Sequence, residues 1–172
     1  MTDSVSRGED LYVTGLKNAH AMEMQALSIM RPQADRIDSY PEVETRLRQH
    51  IAETEQQAQR LEELLEACGT NKSTLKDTVM SMAGGMAAIG HMPAGDEILK
   101  NAFADFAFEN YEIAAYRSLI TLAEAAGHTE ALDLLTLNLE EEERMAEWIE
   151  GNLPMLTEKF VSLSEAGVSA KK

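Results

Sequence analysis

A few acidic residues stand where an apolar side chain belongs. Glu23 falls on the helical stripe Leu16, His20, Glu23, Leu27, Met30, and Glu109 on the stripe Ala102, Phe106, Glu109, Ile113, with Glu112 one helical step further on. Glu142 is the inward member of the run Glu140 to Glu143, in line with Leu135, Leu139, Ala146 and Ile149. Glu53 lies one position off the line through Leu47, Ile51, Thr54, Ala58 and Leu61, beside His50 and Gln57. In a chain with 30 acids any one Glu is a solvated surface residue by default, so position on an apolar stripe is what singles these five out. Carboxylates that converge in an apolar interior repel one another and lose hydration, at several kcal/mol per ion, unless protons or a multivalent cation compensate. Two divalent metals bridged by carboxylates satisfy that charge. Helical bundles hold such a pair with one Glu from each of two helices and a Glu-x-x-His from each of the other two. The carboxylate half of that pattern is complete here, but Gln56 and Met145 stand where the histidines would be. If Glu142 is a source of buried repulsion, an apolar residue in its place should stabilise the metal-free protein.

The other reactive side chains each have two readings. His20 and His50 stand three residues before an inward Glu, so each could bind metal or orient a ligand through a ring N–H, or could be a partly buried helix histidine bonded to a neighbour. Tyr111 and Tyr116 flank the acidic pair, where a phenol could bond a ligand carboxylate or serve electron transfer, or could pack with its hydroxyl satisfied. His91 and His128 read as structural or exposed. Cys68 reads as a small core residue, since no Cys–His arrangement is visible.

The elements that must position these groups are long helices. Pro32, Pro41, Pro93 and Pro154 fall where one apolar pattern ends or the next begins. A first helix is expected over about 6–31, with Ser6 and Glu9 as a capping box, and a second over about 41–68, opened by Pro41 and stopped by Gly69. Residues 69–95 interleave Gly84, Gly85 and Gly90 with Met80, Met82, Met86 and Met92, and read as a crossover with a short Met-lined helix from about 74 to 89. A third helix is expected over about 96–126 and a fourth over about 129–151, followed by a tail, 152–172, with one short C-terminal helix. No segment shows strand alternation. The expected fold is therefore an all-α, antiparallel four-helix bundle of two hairpins joined by a long crossover, in one domain over 1–172. Glu23 lies eight residues before Arg31, Glu53 twelve after Pro41, Glu109 seventeen before Ala126 and Glu142 thirteen after Thr129. At about 1.5 Å per residue each hairpin then leaves an offset of about 6 Å, small enough for one carboxylate layer.

With 15 basic against 30 acidic residues, a net charge of -15, the 172-residue chain lacks the electrostatic footprint of a nucleic-acid binder and would be repelled by anionic lipid. Its one cysteine excludes an internal disulfide. The polar first ten residues carry no signal pattern, and no stretch approaches the ~18 apolar residues of a membrane span, so a cytoplasmic setting is expected.

The strings "NAHAMEMQ" around Glu23, "HIAETEQQAQRLEEL" around Glu53, "FENYEIAAY" around Glu109 and Glu112, and "LEEEERMAEW" around Glu142 resemble the ferritin-like superfamily. The chain is most similar there to the small bacterial YciE/YciF group of stress-associated proteins, over about residues 9–153. The resemblance implies a bundle dimer with a non-haem di-iron carboxylate centre. Glu23, Glu53, Glu109 and Glu142 would be ligands, and Glu112 resembles the extra carboxylate of rubrerythrins. It departs from the group at Asn110, where a His is common, and at Ala146, where an Asp is frequent. The function expected is a dinuclear metal centre in iron or oxidant handling under stress, with oxidase or peroxidase chemistry and an unidentified redox partner. Two irons are expected, with manganese or zinc able to take their place. The alternative is a non-catalytic dimeric bundle with a vestigial or purely structural metal site. A storage cage fits less well, because the crossover and tail are short.

Overall fold

The computed structural model describes residues 2–70 and 95–171, with side chains from Arg7 onward. Among these residues four helices carry the fold: α1 (Thr2–Ala34), α2 (Pro41–Ala67), α3 (Glu97–Ala126) and α4 (Leu132–Glu165), the last preceded by a 3-10 turn at Thr129–Ala131. No strand occurs among the described residues, and the expected all-α bundle is the architecture found. Pro41 opens α2 with Glu42 and Glu44 in its first turn, where acidic side chains face the positive end of the helix dipole. Gly69 (φ 75°) and Gly127 (φ 87°) end α2 and α3 in the left-handed region that a side chain disfavours. At both ends the same pair of backbone bonds closes the helix: Gly69 N–H to Glu66 O and Thr70 N–H to Leu65 O (both 2.9 Å), and Gly127 N–H to Glu124 O (3.1 Å) and His128 N–H to Ala123 O (2.9 Å).

Two helix ends differ from expectation. The first helix begins at Thr2, so Ser6 lies inside it and not at its start, and it runs through Pro32 to Ala34. Pro32 forfeits one backbone bond, but Gln33 and Ala34 are buried beyond it and keep the last turn in place. The fourth helix continues through Gly151 and Pro154 to Glu165, so the residues expected to form a separate C-terminal helix are its last turns. Leu156, with Phe160 and Leu163, packs on Tyr40 and Ile98 there, and that burial outweighs the roughly 3 kcal/mol a single helical proline costs. The crossover helix expected at 74–89, its methionines and His91 lie outside the described residues.

Cross-helix pairs define the topology. Arg31 meets Glu55 and His20 meets Glu62, so α1 and α2 are antiparallel. Gln33 meets Asp105 and Glu23 meets Tyr116, so α1 and α3 are antiparallel; Lys159 meets Glu42 and Arg60 meets Asn138, so α2 and α4 are too. Thr70 and Gly95 therefore sit at opposite ends of the bundle, as a long crossover requires. One apolar cluster around Tyr12, Leu16, Leu61, Leu65, Leu119 and Leu135 fills one end, and a second around Ala26, Met30, Leu47, Met145 and Ile149 fills the middle. Glu23, His50, Gln57, Glu109, Glu112, Asn138 and Glu142, all buried, fall between these two clusters.

At the other end the chain after α4 folds back as a strap. Asp96 makes no side-chain cap on α3; instead Ile98 N–H donates to Lys171 O at 2.9 Å, and the buried Tyr40 hydroxyl donates to Ala170 O at 2.7 Å.

Candidate metal centre

His50 is the hub of the polar layer. Its Nε2 lies 3.2 Å from Glu109 Oε2 and 3.4 Å from Glu142 Oε2, while its Nδ1 faces Glu53 Oε2 at 3.2 Å. One ligating atom from each of His50, Glu109, Glu112 and Glu142 lies within 4.8 Å of all the others, and all four side chains are buried. Three helices thus supply one compact N/O donor set. The fourth, α1, contributes Glu23, fully buried and close enough for Glu142 to raise its pKa.

Neutral donors set the orientation of the outer carboxylates. Gln57 Nε2 donates to Glu142 Oε1, and Tyr116 Oη donates to Glu23 Oε1. Asn138 Nδ2 donates to Tyr116 Oη at 2.9 Å, and Asn138 Oδ1 accepts from Arg60 at 2.8 Å. Arg60 in turn pairs with Glu141 through both guanidinium nitrogens, at 2.7 and 3.1 Å. Glu53 is held at the rim by Arg46 (3.0 Å) and Gln49 (2.9 Å).

Electrostatically the layer is divided. Burial pushes Glu23 and Glu112 well above the usual carboxylate range, reinforced by the charge of Glu142, and burial pushes Glu109 up to about 8. Burial opposes ionisation of His50 and Glu142 as well, yet they hold each other charged: His50 is raised by Glu109, Glu142 and Glu53, and Glu142 is lowered chiefly by His50. Burial also opposes charge at Glu53, but His50, Arg46 and Gln49 bring it down to about 2. Without metal, the layer at neutral pH is an imidazolium with two carboxylates, Glu142 and Glu53, surrounded by carboxyls that retain protons. Glu23 Oε2 and Glu112 Oε1 are buried without a hydrogen-bond partner, and Glu109 Oε2 and Glu142 Oε2 have only the shared His50 Nε2 beside them. Orphaned hard oxygens beside an imidazole suit a divalent cation.

Of the seven residues expected at the site, Glu109, Glu112, Glu142 and His50 converge. Glu23 lies close enough for the charges of Glu142 and Glu109 to raise its pKa, and Glu53 reaches them through His50. His20 turns away to Glu62, 3.2 Å from its Nε2, and Tyr111 is 48% exposed. Sequence reasoning missed Asn138 and Arg60. Asn138 lies one turn before Glu142 on the same inward line, which was the available signal.

Over residues 7–162 the chain matches a family described as "Domain of unknown function (DUF892)". It is 30% identical over 145 residues to Protein YciF of Escherichia coli (strain K12), a match that spans 78% of this chain and 82% of that protein. The chain belongs to this YciF-type, ferritin-like family. A crystal structure of a protein from Xanthomonas campestris pv. campestris superposes with a TM-score of 0.77 at 30% identity, covering 92% of this chain and 99% of that one. In this YciF-type chain the motifs that carried the resemblance, around Glu23, Glu53, Glu109 and Glu142, all lie in the polar layer or at its rim. None of the helices among the described residues is long and apolar enough to cross a membrane.

Proposed function

We propose that this chain binds two metal ions, iron in the first instance, in the layer formed by Glu23, Glu53, Glu109, Glu112, Glu142 and His50, and uses them in iron or oxidant handling under stress. The single observation that carries this reading is the buried cluster of carboxylate oxygens from Glu109, Glu112 and Glu142 gathered around the His50 imidazole. Bridged ferrous ions would supply one electron each to dioxygen or peroxide; manganese or zinc suits the same donors. The chain's own part is preparation of the donors. With Nδ1–H directed to Glu53, His50 presents Nε2 to the layer as the free nitrogen. Tyr116 engages one oxygen of Glu23 and Gln57 one oxygen of Glu142, so in each carboxylate the other oxygen faces inward. Loading releases the protons kept on Glu109 and Glu112 and the Nε2 proton of the His50 imidazolium, which ties affinity to pH. The reading includes a homodimer in the cytoplasm, with a separate protein as electron donor.

A purely structural metal is the second reading, supported by Glu53, which Arg46 and Gln49 already satisfy at the rim. Metal analysis of protein purified without a chelating tag, then anaerobic ferrous loading and exposure to oxygen, distinguishes the two. About two irons per chain with an oxygen-dependent ferric absorption is the expected result. Stoichiometric metal with no change on oxygen exposure supports the structural role. Sub-stoichiometric binding that Glu23→Ala and Glu109→Ala leave unchanged overturns the metal centre itself.

A further inference from the structure

Three helix ends meet at the end of the bundle beyond the Tyr12 cluster, and each brings a different kind of ligand. Glu9 lies near the start of α1, Cys68 caps α2, and His128 follows the glycine that ends α3. One ligating atom of each lies within 4.8 Å of the other two, and all three residues are half-buried, open to solvent. No Cys–His arrangement is visible in the sequence, because His128 stands 60 positions after Cys68 and only the antiparallel packing joins them.

The histidine is held from three sides. Its Nε2 is 2.7 Å from Glu9 Oε2, its Nδ1 is 3.0 Å from Glu130 Oε1, and its ring stacks on Tyr12 with centroids 4.5 Å apart and planes 26° apart. A carboxylate on one ring nitrogen that leaves the other directed at a second donor is how metal-binding histidines are fixed in tautomer and orientation. Neither a lone thiol nor a cluster of acids, this is a sulfur, a nitrogen and an oxygen donor on a braced imidazole.

We propose that Glu9, Cys68 and His128 form a second, mononuclear site for a thiophilic divalent cation of the zinc class. Glu130 positions His128, and water completes the coordination. Zinc accepts Cys, His and carboxylate ligands together, and three protein ligands leave the fourth tetrahedral position open. Its bond lengths place neighbouring donor atoms about 3.3 to 3.6 Å apart, so donors now within 4.8 Å of one another draw in by up to about 1.2 Å while the Glu9–His128 pair, at 2.7 Å, opens by about 0.6 Å, within rotamer adjustment at a solvent-facing position. The site stands independently of the carboxylate layer, which has no sulfur.

Cobalt(II) titrated into the reduced, chelator-treated full chain tests the site, because only a sulfur ligand gives a near-ultraviolet thiolate-to-cobalt charge-transfer band. The expected result is a band that saturates at a single cobalt per chain, is reversed by zinc, and is unaffected by Glu109→Gln in the other centre. Glu130→Gln should weaken cobalt binding roughly tenfold to hundredfold while leaving the band's position unchanged. Zinc should also protect Cys68 of the unmodified chain from alkylation. Absence of the band and of protection in the unmodified chain overturns the proposal. So does a band that His128→Asn and Glu9→Gln leave at full affinity, which would indicate cobalt on the thiol alone.

Discussion

Tyr116 donates its hydroxyl hydrogen to Glu23 Oε1, and Asn138 fixes the direction of that bond. The Asn138 amide donates to the same phenol oxygen at 2.9 Å, so the phenol's proton is left to serve the carboxylate. Arg60 holds the Asn138 carbonyl and so determines which end of the amide faces Tyr116. A largely buried arginine thus orients a fully buried carboxyl through two intermediates.

Tyr116→Phe removes the only donor to Glu23 Oε1 among the described residues and the acceptor for Asn138 Nδ2, with little change in packing volume. Leaving buried polar groups unpaired costs about 1–3 kcal/mol. Urea denaturation in the presence of chelator should show that loss of stability, and an unchanged midpoint would refute the role given to the phenol.

Glu142 and Glu112 should respond oppositely to removal of the carboxyl. An apolar Glu142 looked stabilising when only repulsion was considered, but in the structure Glu142 is the ionised partner of His50 and accepts from Gln57. Glu142→Leu strands both and should destabilise the metal-free chain by about 3 kcal/mol. Glu112, raised by burial and by Glu142, Glu23 and Glu109, has one buried oxygen with no partner. Glu112→Met should leave the metal-free chain as stable or about 1 kcal/mol more stable, while lowering metal affinity. Paired denaturation curves with chelator and with ferrous iron check both signs.

The bundle and most of the site were legible in the sequence because both depend on helical phase. Glu23, Glu109, Glu112 and Glu142 interrupt apolar stripes, and a period of 3.6 residues places them inside whatever the partners are. His50 was harder, since it competes with Glu53 for the inward face of α2, and the choice is made by Arg46 and Gln49, which draw Glu53 to the rim. Pro154 misled as a helix end because the burial of Leu156, Phe160 and Leu163, not local propensity, decides that segment. Cys68 meeting His128 is a tertiary outcome with no local signature.

The metal-free protein should lose stability as pH rises from about 4.5 to 8. Glu109 titrates near 8 when folded against an ordinary value of 4.5, so between those values the folded state holds a proton that the unfolded chain has released. Glu23 and Glu112 are shifted in the same direction by burial, and Asp105 is pushed up to about 7 by the same cause. The raised His50 adds stability that is complete below 6.5 and is lost as pH rises through its folded value. Each proton contributes a slope of about 1.4 kcal/mol per pH unit. Glu53 acts oppositely: its stabilisation is present above 4.5 and lost between 4.5 and about 2. Thermal melts in chelator should therefore peak near pH 5 and decline toward pH 8. A flat or rising profile would contradict the protonated layer.

Removing residues 168–172 should destabilise the end of the bundle far from Cys68. The strap supplies the Lys171 carbonyl that caps Ile98 N–H at the start of α3 and the Ala170 carbonyl that accepts from Tyr40. Tyr40 is fully buried, and losing its acceptor costs about 1–3 kcal/mol, with the lost helix cap adding about 1 kcal/mol. Lys171 also lies 3.2 Å from Glu97, which Arg36 already engages at 2.6 Å, so that ion pair has a substitute and contributes little to the loss. Tyr40→Phe in the truncated chain separates the two effects: it removes the stranded donor, leaves the cap lost and should recover the part of the stability that the unpaired hydroxyl costs. If Tyr40→Phe in the truncated chain restores nothing, the stranded hydroxyl is not the source of the loss.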